Sequence, residues 1–128
     1  MKSEVTFKVN GVDRGFKFGT YTARLIEEKS GDKLSLFLEK MSGKTVEKDE
    51  HGGVEVIPPD LESQSKFYFC CALHWAKSNK ISVDFDQVDV DDWRDELGVD
   101  KVSDLTADLF NQYSLKNALP PMAGETTE

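Results

Sequence analysis

Alternating polar and apolar residues open the chain. From residue 4 to residue 9 every second residue is apolar, which is the period of a strand with one buried face. Asn10 and Gly11 follow, and both tolerate the positive φ angles that a two-residue hairpin turn requires. Phe16 and Phe18 then fall on one face of the returning segment. The pattern predicts an antiparallel β-hairpin over residues 4–18.

Helical spacing dominates the rest of the chain. Apolar residues recur three and four positions apart, for example at Val102, Leu105 and Leu109. In the segment that follows Asp86, Val88 and Trp93 are expected to face the core. The spacing and the flanking capping residues predict five helices, over residues 21–29, 33–41, 61–79, 87–97 and 102–113.

Three stretches give weaker patterns. Glycine and proline punctuate residues 42–60, where only residues 54–57 resemble a strand, so a mobile loop or a poorly fixed ribbon is expected. Residues 81–86 alternate briefly and indicate a short extended piece. The polar residues 116–128 contain two prolines and predict a disordered tail. We therefore predict one globular domain over residues 1–115, of the α+β class but mainly α, in which an N-terminal β-hairpin precedes about five helices.

The third predicted helix is apolar almost all the way round, above all from Phe67 to Ala76. A helix of this kind is either the buried centre of the fold or is covered on its second side by a partner. His74 within it is expected to be a hydrogen-bonded core histidine rather than a ligand or a base. Cys70 and Cys71 are adjacent, a spacing that rarely reaches disulfide geometry, and are expected to be small buried side chains.

Charge is concentrated in one part of the chain. Residues 81–110 hold ten acidic and two basic residues, so they carry the whole formal charge of −8. No cluster of lysine and arginine indicates a nucleic-acid partner, and no apolar run reaches the ~20 residues of a membrane span. The acidic segment suits a basic protein surface, although a solvated acidic face has the same composition. The N-terminus has no signal-peptide pattern, so a cytoplasmic location is expected.

Motifs for catalysis, cofactors and metals are missing from the sequence. There is no phosphate-binding glycine loop, nucleophile elbow or zinc-helix motif. The acidic run from Asp84 to Asp95 lacks the glycine and the final glutamate of a calcium loop. We expect a protein that is not an enzyme, holds no cofactor and no metal, and works by binding other proteins.

Two parts of the sequence carry a resemblance to a known family. The first consists of residues 5–11 and 16–19, which lead directly into a helix. The second follows the aromatic helix and consists of residues 85–97, with acidic residues on both sides of Trp93. Together with the order of the elements, they resemble the phage tail assembly chaperones of siphophages and related prophages over most of residues 4–113.

The resemblance implies a non-enzymatic helper of phage tail morphogenesis. Proteins of this family coat the aggregation-prone tape measure protein until tail tube subunits polymerise around it. The implied partners are therefore the tape measure protein and the tail tube protein, and a homo-oligomer is compatible with this role. The side chains expected to bind the partner are Phe67, Tyr68, Trp75 and Trp93. The alternative for each of these four side chains is that it packs in the core and does not contact a partner.

Three other functions are alternatives. One is an acidic protein-binding module with another target. The second is a small enzyme, which would need a concave pocket with convergent polar groups. The third is a nucleic-acid mimic that inhibits a DNA-binding enzyme. A mimic needs a regular two-sided array of acidic residues, whereas the acidic residues of this chain crowd into residues 81–110.

Overall fold

A computed structural model describes residues 3–47 and 52–116 of the chain. The prediction of an α+β, mainly α fold, with an N-terminal hairpin and five helices, is confirmed. Of the predicted tail over residues 116–128, only Lys116 is described, as the last residue of the final helix; the others lie outside the described residues. The elements in chain order are β1 (Glu4–Val9), β2 (Val12–Lys17), α1 (Thr20–Ser30), α2 (Leu34–Ser42), β3 (Lys44–Glu47), β4 (Val54–Ile57), α3 (Leu61–Ser78), α4 (Gln87–Leu97) and α5 (Val99–Lys116).

The first hairpin forms as the sequence predicts. β1 and β2 pair antiparallel, with Val5 opposite Phe16. The turn residues Asn10 and Gly11 both have positive φ angles, of 53° and 79°, as a two-residue hairpin turn requires. The apolar face of the hairpin packs onto α3, and the hydroxyl of Ser3 donates a hydrogen bond to a main-chain carbonyl of α5. The hairpin is therefore covered by helices on one face.

Helix α3 lies at the centre of the fold. Asp60 is its N-cap residue and accepts a hydrogen bond from the main-chain N–H of Ser63 at 3.2 Å, which satisfies one of the unpaired donors of the first turn. The hairpin strand β2 and the helices α1, α2 and α4 all pack against α3. The apolar circumference of this helix is thus covered by elements of the same chain.

Two predictions about α4 and α5 need correction. Val88 was expected in the core, yet its side chain is 65% exposed, whereas Val90 and Trp93 are buried. Residues two positions apart on a helix point in different directions, so burial of Val90 turns Val88 outward. Helix α5 begins at Val99 rather than at residue 102, directly after the positive-φ Gly98 that ends α4.

The segment over residues 42–60 contains a second hairpin rather than an irregular loop. β3 pairs antiparallel with β4, so that Lys44 lies opposite Ile57. These two strands form a sheet of their own, and every residue from 52 to 60 is exposed. Of the two structures expected for this segment, a mobile loop or a poorly fixed ribbon, the structure shows a ribbon, and its two strands pair in a regular register. The extended piece expected over residues 81–86 is not a strand.

Candidate protein-binding site

The four aromatic side chains expected to contact a partner are all buried. The structure places Phe67, Tyr68, Trp75 and Trp93 in one contiguous core with the inner face of the first hairpin. They are covered because α3 is surrounded by the chain's own elements and because Trp93 lies under β1 and the segment before α4. None of the four is exposed to contact a partner directly. Their positions are those of core side chains, which is the alternative that the sequence left open.

Phe67 and Trp75 lie in the interior. The ring of Phe67 stacks on Phe110 of α5 with a centroid distance of 5.7 Å. The indole of Trp75 lies directly against the main chain of Gly15 in β2, where an added Cβ would lie 2.5 Å from the indole nitrogen. Both side chains hold secondary-structure elements together and leave little surface for a ligand.

Tyr68 and Trp93 differ from these two because each is covered by an arginine at the surface. The guanidinium carbon of Arg94 lies 4.6 Å from the centroid of the Tyr68 ring, and that of Arg14 lies 4.7 Å from the Trp93 ring. Cation–π contacts of this kind contribute about 0.5–2 kcal/mol each, more as the pair is desolvated. Since Trp93 and Arg94 are consecutive in α4, the two arginine–aromatic stacks flank this helix.

A groove of about 370 Å³ lies on the Tyr68 side of α4. We call it the α4–α5 groove. Its size is within the range of small-ligand pockets. Val99 lies at its edge and is 80% exposed. The residues that line it include Met41, Gln64, Tyr68, Arg94, Asp95, Val99 and Val102.

A second groove, of about 270 Å³, lies on the Trp93 side of α4, next to the turn of the first hairpin. Three carboxylates of α4 line it, from Asp89, Asp92 and Glu96. Apolar surface in this groove comes from Trp93 and from residues at the end of β1 and the start of β2. The second groove is therefore more acidic than the α4–α5 groove.

The two arginines are not equally well paired. Arg14 donates to Asp84 at 2.8 Å, and this hydrogen bond lowers the pKa of the Asp84 carboxyl below its ordinary value. The contacts of Arg94 are longer, 3.5 Å to the Gln64 oxygen and 3.6 Å to Asp91. The Nε of both arginines is buried without an acceptor among the described residues. Arg94, which lines the α4–α5 groove, therefore keeps one buried N–H without an acceptor among the described residues.

His74 is hydrogen-bonded, as the sequence predicts, but it is half-buried rather than enclosed in the core. Its Nδ1 lies 2.6 Å from the hydroxyl of Thr22, which donates its own proton to the main-chain carbonyl of Lys17 at 2.8 Å. Because that hydroxyl has one proton, the short contact requires His74 to carry a hydrogen on Nδ1 and to donate it. Burial and the nearby charge of Lys17 lower the pKa of His74. His74 is thus a structural, hydrogen-bonded side chain.

The two cysteine thiols are poor nucleophiles in this environment. Both are buried and unbridged. Burial raises the pKa of the Cys70 thiol to about 11 and raises that of Cys71 well above its ordinary value. Since the thiolate is the reactive form, neither side chain is activated.

The groups at these grooves do not form a metal centre. Within residues 3–47 and 52–116, no three His, Cys, Asp or Glu side chains come together in a way that would hold a metal ion. No helix in this part of the chain has the length and apolar character that crossing a membrane requires. The chemistry that remains at the grooves is apolar contact, hydrogen bonding by arginine and carboxylate charge.

No protein-family model, no curated protein and no solved structure matches this chain. What the chain does is therefore inferred from its own residues and from the resemblance described above. The sequence pattern identified Tyr68 and Trp93 but missed Arg14 and Arg94. An arginine directly after Trp93 within an acidic run is the signal that points to Arg94, whereas the sequence around Arg14 contains no comparable signal.

Proposed function

We propose that this chain is a tail assembly chaperone that binds the tape measure protein during phage tail morphogenesis. It acts without catalysis, in the cytoplasm of a bacterial host, and delivers its client to tail tube subunits. The proposal starts from the sequence resemblance. The single observation on the molecule that supports it best is the α4–α5 groove, which offers apolar contacts at the surface of an acidic helix pair.

The α4–α5 groove has the features of a site for an amphipathic helix. Met41, Tyr68 and Val102 line it with small patches of apolar surface, since each is less than 10% exposed, and the exposed Val99 lies at its edge. In helix-in-groove recognition, a partner helix lays its apolar stripe into a hollow between helices. Tyr68 contributes part of its ring surface here, even though most of the side chain is core. The binding surface is therefore assigned to the groove rather than to exposed aromatic side chains.

Charge defines the kind of helix that suits this surface. The exposed residues Asp92, Asp95 and Glu96 of α4 and Asp100 of α5 carry negative charge beside the grooves. Such a surface attracts a partner with lysine or arginine flanking its apolar stripe and accelerates their encounter at low ionic strength. The same charge keeps a chaperone–client assembly soluble. The carboxylates thus favour a basic amphipathic client helix.

Co-expression with the cognate tape measure protein tests the proposal. The client is expected to be more soluble with this chain than alone and to co-purify with it. Val99→Asp should reduce co-purification by tenfold or more, because it removes the exposed apolar side chain at the groove edge that would contact the apolar stripe of the client. Val88→Asp is the matched control, since Val88 is also exposed and also lies in a first helical turn, where an aspartate is tolerated.

The possible outcomes separate the parts of the proposal. If Val99→Asp co-purifies as well as the wild type, the groove is not the client site. If the tape measure protein is equally soluble alone and never co-purifies, the chaperone function is excluded. The chain would then be an acidic protein-binding module with another target.

A further inference from the structure

Four apolar residues are exposed where the β3–β4 ribbon meets α3. They are Ile57, Pro58, Pro59 and Leu61, and the side chain of Leu61 is 76% exposed. We call these four residues the ribbon-base patch. A contiguous exposed apolar surface with polar residues around it is typical of a protein-binding site, whereas single exposed apolar residues are common everywhere.

Main-chain contacts fix this patch relative to the helices. The N–H of Asp60 donates to the carbonyl of Lys40 in α2 at 2.9 Å. Gly43 lies so close that a Cβ on it would be 2.8 Å from both the Ile57 carbonyl oxygen and the Pro59 nitrogen. The two prolines also have fixed φ angles. The patch is therefore pre-organised, so a partner that binds it does not have to order it first.

The ribbon-base patch adjoins the α4–α5 groove through α2 and α3. Met41 and Ser42 line the groove at the end of α2, where the ribbon begins. On α3, Leu61 lies three residues before Gln64 and seven before Tyr68, so the three residues share one stripe of the helix. Gln64 and Tyr68 both line the groove. Leu61 thus continues the groove wall outward to the patch, two helical turns or about 10 Å from Tyr68.

The chemistry of the patch favours a helix rather than a strand as its occupant. Strand addition uses main-chain N–H and C=O groups, and Pro58 and Pro59 have no N–H. The N–H of Asp60 is already bonded to the carbonyl of Lys40. The patch therefore offers side-chain surface, which is what the apolar stripe of an amphipathic helix contacts.

Charge around the patch selects a basic partner. Glu55, Asp60 and Glu62 are exposed carboxylates within or beside the patch. Residues 44–66 hold six acidic and three basic residues, including Lys66, which pairs with Glu62 at 3.5 Å. A second copy of this chain would bring the same acidic residues to the contact and be repelled. A helix with lysine or arginine beside its apolar stripe is attracted instead.

We propose that the ribbon-base patch is a second part of the client site. One basic amphipathic helix lays its apolar stripe in the α4–α5 groove and extends across Leu61 onto the base of the ribbon. Val99 on α5 and Leu61 on α3, both exposed, then contact the same helix from two walls of the groove. The identity of the client rests on the proposed function, whereas the kind of helix follows from the patch and the charge around it.

Binding of a synthetic peptide to the full chain tests the kind of partner without a tape measure protein. The probe is a labelled peptide of about 18 residues, long enough to form a helix, with an apolar stripe of leucine and with lysine elsewhere. The control peptide has glutamate in place of lysine. Fluorescence anisotropy should show binding of the lysine peptide and about tenfold weaker binding, or less, of the glutamate peptide. Equal binding of the two peptides, or no binding of the lysine peptide, overturns the proposal.

Neutral substitutions test the location. Leu61→Gln should weaken binding of the lysine peptide by about fivefold, and Leu61→Gln combined with Ile57→Thr by about tenfold or more, because apolar contacts are lost while the charge is unchanged. Glutamine favours helices and threonine favours strands, so both variants keep the local structure. Val88→Gln and Val83→Thr are the matched controls, exposed valines that line neither groove, and should bind like the wild type. A double variant that binds as tightly as the wild type overturns the proposal.

Co-expression with the tape measure protein separates this inference from the proposed function. If the double variant at Ile57 and Leu61 co-purifies with the client as well as the wild type does, the chaperone function stands and the patch is not part of the site. If the lysine peptide binds through the patch but the tape measure protein never co-purifies, the site stands and the chaperone function is excluded.

Discussion

The two hairpins of this chain have the same antiparallel topology but opposite surroundings. In β1–β2, the apolar side chains of Val5, Phe7 and Phe16 are buried against helices. In β3–β4, the apolar side chains of Val54 and Val56 are exposed. Both hairpins have a regular main-chain register, so strand pairing is not what distinguishes them.

The difference shows which interactions stabilise each hairpin. Main-chain hydrogen bonds exchange with water and contribute little net free energy, whereas burial of an apolar side chain contributes about 1.5–3 kcal/mol. The first hairpin therefore belongs to the cooperative core of the protein. In the second hairpin the described side chains, those of β4, are all exposed, so this hairpin should open locally without unfolding the rest.

The largest expected difference between the hairpins comes from removing one apolar side chain in each. Phe16→Ala should lower the free energy of unfolding by about 3–5 kcal/mol, because it deletes a fully buried ring. That ring packs at 4.9 Å from Phe7 and 5.2 Å from Tyr68, measured between centroids. Val56→Ala should change the free energy of unfolding by less than about 0.5 kcal/mol, since the Val56 side chain is exposed.

Urea denaturation measures both values. Comparable losses for Phe16→Ala and Val56→Ala would show that the second hairpin is part of the cooperative core. The conclusion that the first hairpin is part of the core and the second is not would then be wrong.

One tightly packed glycine lies in the first hairpin and another directly precedes the second, and these give the next largest effect. A Cβ on Gly15 would lie 2.5 Å from the buried indole of Trp75, so Gly15→Ala should destabilise the whole protein by about 1–3 kcal/mol. Gly43→Ala introduces strain at a positive φ and a contact with the Ile57 carbonyl oxygen. It should speed amide hydrogen exchange in β4 while shifting global unfolding by less than about 1 kcal/mol.

Hydrogen exchange and denaturation on the same samples distinguish the two glycine variants. For Gly15→Ala, exchange should accelerate at all core amides in proportion to the loss of stability. Loss of protection throughout the core in Gly43→Ala would contradict local opening of the ribbon.

Sequence reasoning succeeded for the first hairpin because its signals are local. The two-residue turn at Asn10 and Gly11 and the alternation on both sides specify the register without any knowledge of the rest. The second hairpin lacks these signals. Residues 44–47 contain a single apolar residue, and residues 48–53, which connect the strands, are longer than a tight turn. The sequence therefore indicated only β4, the second strand of this hairpin.

The candidate site was harder to predict because apolarity does not reveal what covers it. An aromatic run such as residues 67–75 has the same pattern whether its neighbours are the chain's own helices or a partner. The arginine–aromatic stacks pose a second difficulty, because Arg14 and Trp93 are far apart in sequence and meet only in the folded chain. The acidic character beside the groove, by contrast, was readable from composition.

The smallest of the expected effects is a dependence on pH that belongs to the first hairpin alone. His74 donates to Thr22, which in turn holds the last carbonyl of β2 at Lys17, and the pKa of His74 is lowered by burial and by the charge of Lys17. In the unfolded chain the ordinary histidine pKa is about 6.5, so the unfolded state binds more protons as the pH falls below that value. Stability should therefore be constant above pH 7 and decrease between about pH 6.5 and pH 5, by less than about 1 kcal/mol because the ring is partly solvated.

His74→Asn retains a donor for Thr22 but does not titrate in this range, so its stability should vary less between pH 7 and pH 5 than that of the wild type. The protection of amides in β1 and β2 should follow the same pH dependence, while exchange in β4, corrected for the intrinsic effect of pH, should not change. If His74→Asn and the wild type lose stability equally on acidification, the carboxylates of the acidic segment dominate the response and His74 does not tie the first hairpin to α3 as described.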